Sequence, residues 1–126
     1  MIDKSPWPSR FRLYIGGAPF EPSYTVEMEG RILSYRARSG EGKESEQKIS
    51  PRSEQWESFW TALERAGVWR WKARYPNPGV LDGTLWSVDI EHLGRAIASQ
   101  GDNAFPKRFG ALLEAVSGLL GGLPFE

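Results

Sequence analysis

A chain of 126 residues, with 40% hydrophobic and 25% charged residues, has the length and composition of one globular domain rather than of a disordered segment. Its 16 basic residues balance its 16 acidic residues, so no global charge attracts nucleic acid or an anionic membrane. Cysteine is absent and His92 is the only histidine, which excludes disulfide scaffolds, cysteine nucleophiles, catalytic triads and multi-histidine metal sites.

The N-terminal segment predicts an extended arm. Residues 1–9 contain two prolines and lack the apolar stretch of a secretion signal. No apolar run in the chain approaches the roughly 20 residues needed to span a bilayer. We therefore expect a cytoplasmic protein with one domain, 1–126, that does not associate with membranes.

The first half of the sequence predicts four strands. Strand-like segments lie at 10–16, 24–28, 31–38 and 47–49. Glu29 and Gly30 have the composition of a two-residue hairpin turn, which would place Tyr24 opposite Tyr35. The segment 39–46 is rich in glycine and charge and predicts a mobile loop.

An amphipathic helix is predicted after Ser50. Ser50 offers a capping hydroxyl, and Pro51 suits the first helical position. Apolar side chains then recur at helical spacing: Trp56, Phe59, Trp60 and Leu63. Gly67 follows where a left-handed C-terminal cap belongs.

The second half predicts three strands and a helix. Segment 68–75 alternates apolar and mainly basic residues, and 84–91 alternates apolar with polar or acidic residues. We expect these two strands to pair, with Arg70 opposite Asp89, and a third strand to follow at 95–100. A final apolar stripe predicts a helix over 106–120, which ends at two glycines.

The element order ββββ-α-βββ-α predicts an α+β fold. Runs of hairpins followed by helices favour a single antiparallel sheet of about six to seven strands, with both helices packed on one face. Two apolar helix stripes and one apolar sheet face are sufficient to close a core.

The basic and aromatic string at 69–75 contains the residue types that bind single-stranded nucleic acid. In a strand, however, the indoles of Trp69 and Trp71 point away from the cations at the intervening positions, so rings and cations cannot share a groove. We therefore expect the indoles in the core, the cations in solvent, and no nucleic-acid partner.

Residue types that carry catalysis are scarce. His92 falls in a predicted turn, and we interpret it as a surface residue without a catalytic partner. Asp89 and Glu91 share a strand face and are expected to pair with basic neighbours. Glu41, Glu44 and Glu46 lie in a polar loop beside Lys43 and Lys48, and no calcium, zinc or phosphate motif occurs. We predict no catalytic residue, no metal site and no cofactor.

One loop end combines polar groups with aromatic rings. If the last three strands form a meander, the loops 76–83 and 101–105 emerge at the same end of the sheet. The candidate ligand-binding residues there are Tyr75, Asp82, Trp86, Asp102 and Asn103. They predict a site for a small ligand or carbohydrate, with weak hydrolysis as an extension. Ordinary turn chemistry at Asp82 and capping of the last helix by Asp102 or Asn103 would explain the same residues.

Three motifs from the second half of the chain occur in a fixed order. They are W-x-W-x-x-x-Y at 69–75, D-G-x-x-W at 82–86 and G-x-N-A-aromatic-P at 101–106. In this order they resemble a family of small bacterial domains, over a little more than half of the chain. That family has no activity to carry over, so the resemblance implies a shared fold and a bacterial origin.

Two functional hypotheses follow. The first is a non-enzymatic module that binds another protein in an accessory or immunity-like role, through sheet edges and the exposed aromatics Trp7, Tyr14 and Phe20. The second is small-ligand or carbohydrate binding at the loop end around Tyr75. Neither the partner nor the oligomeric state follows from the sequence.

Overall fold

The computed structural model describes residues 5–17, 21–77 and 83–126. Strands and α-helices there follow the order ββββ-α-βββ-α, which confirms the predicted α+β class. The strands are β1 (Arg10–Gly16), β2 (Ser23–Glu29), β3 (Ile32–Arg38), β4 (Glu44–Ile49), β5 (Arg74–Tyr75), β6 (Leu85–His92) and β7 (Arg95–Asp102). The helices are α1 (Ser53–Ala66) and α2 (Phe109–Leu119). Neither of these helices is long and apolar enough to cross a membrane.

The seven strands form one sheet in the order β4-β3-β2-β1-β6-β7-β5. Neighbouring strands are antiparallel, except that β5 runs parallel to β7. At the centre, β1 pairs with β6, so Leu13 lies opposite Val88 although the two residues are far apart in the sequence. The sheet is therefore mixed, and mostly antiparallel.

Both helices pack on one face of the sheet. The central strands bury alternate apolar residues there: Phe11, Leu13, Ile15, Val88 and Ile90. From α1, the Trp56 ring meets Phe11 edge-on with 5.3 Å between ring centroids. From α2, Phe109 lies 4.9 Å from the Trp86 ring. Full burial of a large apolar side chain contributes about 1.5–3 kcal/mol, so this face carries most of the stabilising energy. We call the opposite face the open face, because no helix covers it in the described part of the chain.

Both helices begin a few residues later than predicted. α1 begins at Ser53 rather than Pro51, and the Gln55 side chain accepts a hydrogen bond from the Arg52 N–H at 2.8 Å. Gly67 ends α1 with φ 71°, as its position predicted. α2 begins at Phe109 rather than at residue 106, directly after Arg108 with φ 64°. Neither Asp102 nor Asn103 therefore caps α2.

The predicted register of the β2–β3 hairpin was wrong. Gly30 and Arg31 form the turn, and Val26 lies opposite Tyr35. Gly30 has φ 66°, which suits glycine at the first loop position of a type II′ turn. A shift of two residues leaves every side chain on its original face, so Tyr24 still stacks on Tyr35 at 6.2 Å. The next strand, β4, begins at Glu44, which shortens the predicted loop at 39–46.

The predicted strand at 68–75 was also largely wrong. Val68–Arg70 form a short 3₁₀ helix, and only Arg74 and Tyr75 join the sheet, beside β7. Both hydrogen-bonding edges of β6 are occupied by β1 and β7, so Arg70 cannot lie opposite Asp89. The side chains of this segment nevertheless face the predicted directions. Trp69 and Trp71 pack against the core, and the cations between and after them are exposed.

Residues 5–9 of the N-terminal arm fold back onto the domain. Its backbone is held at three points: the Ser9 N–H donates to the Glu91 carbonyl at 2.8 Å, the Trp60 indole donates to the Pro6 carbonyl at 2.6 Å, and His92 Nε2 lies 2.8 Å from the Ser5 carbonyl. His92 is only 7% exposed and stacks on Trp60 with 4.0 Å between ring centroids. The prediction of a surface histidine was wrong, because His92 ends β6 on its core face.

Candidate functional site

The open face of the sheet carries side chains in regular rows. One row crosses all seven strands at matched register positions: Glu46, Arg36, Thr25, Tyr14, Ser87, Gln100 and Arg74. Adjacent strands are about 4.8 Å apart, so side chains within the row are close neighbours. The middle of this row, from Thr25 to Gln100, is neutral. Its two ends are charged, and so is the adjacent row through Glu27, Arg12 and Asp89.

Ion pairs dominate the charged rows. The pairs on the open face are Arg10–Asp89 at 2.7 Å, Arg10–Glu91 at 3.3 Å, Arg36–Glu27 at 3.1 Å, Lys48–Glu29 at 3.0 Å and Lys48–Glu46 at 2.8 Å. The hydrogen bond from Lys48 lowers the pKa of Glu46, and the hydrogen bond to Asp89 raises the pKa of Arg10. Asp89 and Glu91 thus pair with a basic residue of β1, and not with the basic string after α1 as predicted.

A cavity of about 450 Å³ lies where β6 begins and where β5 and β7 end. We call it the end cavity. Its lining residues are Tyr14, Arg74, Tyr75, Pro76, Leu85, Trp86, Ser87, Gln100, Gly101 and Asp102. Ligand pockets in proteins commonly span about 300–1,000 Å³, so the end cavity has the size of a small-molecule site. Three of the five predicted site residues line it: Tyr75, Trp86 and Asp102.

The two aromatic residues at the predicted site have structural contacts of their own. Trp86 is 2% exposed, and its Nε1 donates to the Ala104 carbonyl at 2.9 Å. The Tyr75 ring lies 5.8 Å from the Trp86 ring, and its hydroxyl accepts a hydrogen bond from the Lys72 N–H at 2.9 Å. Both rings are therefore fixed walls of the end cavity.

The other three predicted site residues have different outcomes. Asp102 ends β7 opposite Leu85, where it is half-buried and lines the end cavity. Asn103 does not line it; its N–H donates to the Thr84 carbonyl at 2.7 Å, and its carbonyl accepts a hydrogen bond from the Asn77 side chain at 3.3 Å. Asp82 lies outside the described residues, as does Phe20.

Sequence reasoning missed the part of the site that the open face contributes. Tyr14, Ser87, Gln100 and Leu85 meet only because β1, β6 and β7 are neighbours. One signal was present in the sequence: Tyr14 is an aromatic residue on the otherwise charged face of β1. Its hydroxyl end lies over Gly16, where an added Cβ would overlap the ring.

The lining of the end cavity combines apolar surface with polar side chains. Leu85 is 48% exposed and provides apolar surface, while Arg74, Ser87, Gln100 and Asp102 provide polar groups. His92 lies on the core face of β6, away from Ser87 on the open face. Among the described residues, no group of three histidine or acidic side chains could hold a metal ion.

Comparisons of the chain with protein-family models, curated proteins and solved structures find no match. The resemblance to small bacterial domains therefore stays a prediction. In the structure, the last two of its motifs meet at the end cavity, where the Trp86 indole binds the Ala104 carbonyl.

Proposed function

We propose that this chain is a non-enzymatic binding module that takes a small organic ligand in the end cavity. The observation that carries the proposal is the cavity of about 450 Å³ at the end of the sheet, which joins exposed apolar surface at Leu85 to several polar side chains. A largely apolar depression with a few polar groups is the usual form of a ligand site. Carbohydrates belong to the proposed ligand range, because an aromatic ring, Tyr75, and a carboxylate, Asp102, both line the cavity.

The non-enzymatic part of the proposal is supported by the residue types at the cavity. A serine nucleophile needs an adjacent base, and the histidine of this chain stacks on Trp60 on the other side of the sheet. Tyr75 and Trp86 use their polar atoms within the fold. The lining can orient a ligand, and it offers no nucleophile with an activating partner.

A cavity-filling variant tests the ligand proposal. Ser87→Phe introduces a ring into the end cavity at a strand position that tolerates aromatic side chains. The matched control is Thr25→Phe, in the same row of the open face but outside the lining. Small organic compounds are screened by two-dimensional amide NMR of the full chain. Compounds that shift the amides of Ser87 and Gln100 should bind the control and fail to bind Ser87→Phe.

Two results would reject ligand binding at the end cavity. One is a screen in which no compound shifts these amides. The other is a set of hits that bind Ser87→Phe as well as the parent chain. Retained helix and sheet signals in both variants ensure that loss of binding is not loss of folding.

A second candidate function is protein binding in an accessory or immunity-like role through the open face. The observation that favours it is a sheet face with ordered charged rows and no covering helix in the described part of the chain. Such rows suit electrostatic recognition of a partner. A bacterial cytoplasmic location belongs to this proposal, and fractionation of host cells tests it.

Charge reversal separates a specific protein partner from nonspecific capture. Arg36→Glu inverts an exposed charge on the open face, and Glu57→Arg does the same on the solvent side of α1. If a host protein binds through the open face, the first variant loses it and the second retains it. Equal retention by both variants, or no retained protein with the parent chain, rejects the second candidate.

A further inference from the structure

We propose that the open face beside the end cavity holds an acidic group between Arg12 and Arg74, so that the ligand is an organic anion with an apolar part. The proposal rests on the proposed ligand-binding function and names the ligand class of the same site.

The geometric basis is a second depression that continues from the end cavity. It has a volume of about 530 Å³, and we call it the arginine trough. Its lining residues are Arg12, Tyr14, Ala73, Arg74, Ser87, Val88, Asp89, Ala98, Ser99 and Gln100. Tyr14, Arg74, Ser87 and Gln100 line both depressions, so one ligand can occupy the end cavity and the arginine trough together.

Small side chains create the floor of the arginine trough. On the open face, β7 carries Ala98 two residues before Gln100, and the segment before β5 contributes Ala73. Longer side chains rise on either side, from Arg12 on β1 and from Arg74 on β5. The sheet surface is therefore lowest between the two arginines.

The two arginines are cations without an ion-pair partner among the described residues. Within the described part of the chain, neither Arg12 nor Arg74 has an acidic group within ion-pair distance. Asp89 is the only carboxylate among the described residues that line the trough, and it is bound by Arg10 at 2.7 Å. Glu27, which lies opposite Arg12 on β2, is bound by Arg36 at 3.1 Å.

The spacing of the arginines fits one acidic group between them. Three strand separations of about 4.8 Å lie between β1 and β5, and each arginine side chain can lean inward over this distance. The guanidinium fork binds a carboxylate or phosphate through paired hydrogen bonds. Between the arginines, the side chains of Tyr14, Ser87 and Gln100 have no hydrogen-bond partner among the described residues and can add donors.

The apolar part of the ligand is expected in the end cavity. Leu85 and Pro76 line the end cavity on the side away from Arg12, and the Tyr75 ring forms one of its walls. An anion bound in the trough can direct an attached ring or alkyl chain onto these residues. Asp102 at the far end disfavours a second negative charge there, which suits a ligand with one acidic group.

A matched series of compounds tests the ligand class. Phenylacetate carries the acidic group and the ring, benzyl alcohol keeps the ring without the charge, and phenethylamine reverses the charge. Each is titrated into the full chain, and amide shifts at Ser87, Gln100 and Leu85 are followed by NMR. Phenylacetate is expected to bind at least about tenfold more tightly than either analogue, and added salt should weaken it, because the contact is charged and exposed.

Arginine variants locate the acidic group. Arg12→Gln and Arg74→Gln are each expected to weaken phenylacetate binding by about tenfold, the effect of losing one charged hydrogen-bonding partner. Arg38→Gln is the control, because Arg38 is an exposed cation on β3, outside both depressions and without an ion-pair partner among the described residues. The control should bind like the parent chain.

The outcomes separate the two proposals. If benzyl alcohol binds as tightly as phenylacetate and both arginine variants behave like the control, the anion proposal fails while ligand binding at the end cavity stands. If none of the three compounds shifts the amides of the site, the anion proposal is overturned, and the wider compound screen with Ser87→Phe decides the proposed function. Binding that survives in the double variant of Arg12 and Arg74 also overturns the anion proposal.

Discussion

Gly101 lies directly opposite Trp86 in the β6–β7 ladder, and the missing side chain at Gly101 leaves room for the Trp86 indole. Through that room the indole Nε1 reaches the Ala104 carbonyl at 2.9 Å. A Cβ at position 101 would overlap the indole nitrogen and lie 2.5 Å from the carbonyl oxygen. The pair therefore fixes the loop after β7 together with one wall of the end cavity.

Gly101→Ala is expected to lower the free energy of unfolding by about 2–3 kcal/mol, because either the indole or the loop must move. Urea unfolding measures the change. Gly110→Ala in α2 is the control, since its added Cβ meets no described atom within 4 Å apart from its chain neighbours and the backbone of its own helix. Helix propensity predicts a gain of up to about 1 kcal/mol for the control. A neutral effect at Gly101 would contradict the close approach.

The β6–β7 turn contains a residue poorly suited to its backbone. Leu93 has φ 49° and Gly94 has φ 81°, which is the type I′ pattern that favours Asn-Gly. Leu93→Asn is therefore expected to raise the free energy of unfolding by about 0.5–1 kcal/mol, because asparagine tolerates positive φ. Thermal and urea unfolding provide the measurement. Leu93→Ala keeps the Cβ without this tolerance and should give no gain; equal gains for both variants would refute the turn argument.

His92 links the sheet to the N-terminal arm through its stack on Trp60 and its contact with the Ser5 carbonyl. His92→Ala is expected to lower the free energy of unfolding by about 2 kcal/mol, because it removes a stacked ring and a buried hydrogen bond. Limited proteolysis should then cleave residues 5–9 faster. Lys107→Ala, at an exposed position, should change stability by less than about 0.5 kcal/mol. Unchanged proteolysis of the arm would exclude the proposed link.

Tyr35 predicts a pH dependence on the alkaline side. Burial of the side chain, which is 2% exposed, raises the pKa of Tyr35 above its ordinary value of 10.0. The unfolded chain therefore loses this proton first. The contribution of protonated Tyr35 to the free energy of unfolding is complete below pH 10.0, and it is lost as the pH rises through the folded-state pKa. Phenylalanine at this position should remove that part of the alkaline loss of stability.

Tyr35→Phe has a second expected effect at neutral pH. The Tyr35 hydroxyl donates to the Pro124 carbonyl at 2.6 Å, and loss of this bond should cost about 1 kcal/mol. Urea unfolding at neutral pH and above the ordinary tyrosine pKa measures both effects. A constant difference between the parent chain and the variant at all pH values would show that Tyr35 does not titrate as described.

The sequence predicted which side chains lie on each face of the sheet better than it predicted which strands pair with each other. Alternation in β1 and β6 correctly indicated which side chains enter the core, because burial on a strand repeats every second residue. The same alternation at 68–75 suggested a strand, yet the backbone there forms a 3₁₀ helix and then an edge segment. The indoles of Trp69 and Trp71 can reach the same core from a strand or from a 3₁₀ helix. The periodicity of the sequence alone therefore does not distinguish the two backbone conformations.

The candidate site shows the same division. Tyr75, Trp86 and Asp102 were grouped correctly, since loops at the ends of neighbouring strands must meet. The reason for the grouping was wrong: β5 lies beside β7 in parallel, and does not pair with β6. Tyr14 and Arg12 could not be grouped with them from the sequence, because their strand joins β6 through a contact between distant segments.

The amino-acid sequence by itself determined the α+β class, the two apolar helix stripes and the polarity of each strand face, because these depend on residues a few positions apart. Only the tertiary structure decided which strands flank β6, where the buried histidine lies and which arginines remain unpaired. Those features depend on strand pairing. Each strand has two hydrogen-bonding edges, and segments that are distant in the sequence compete to pair with them.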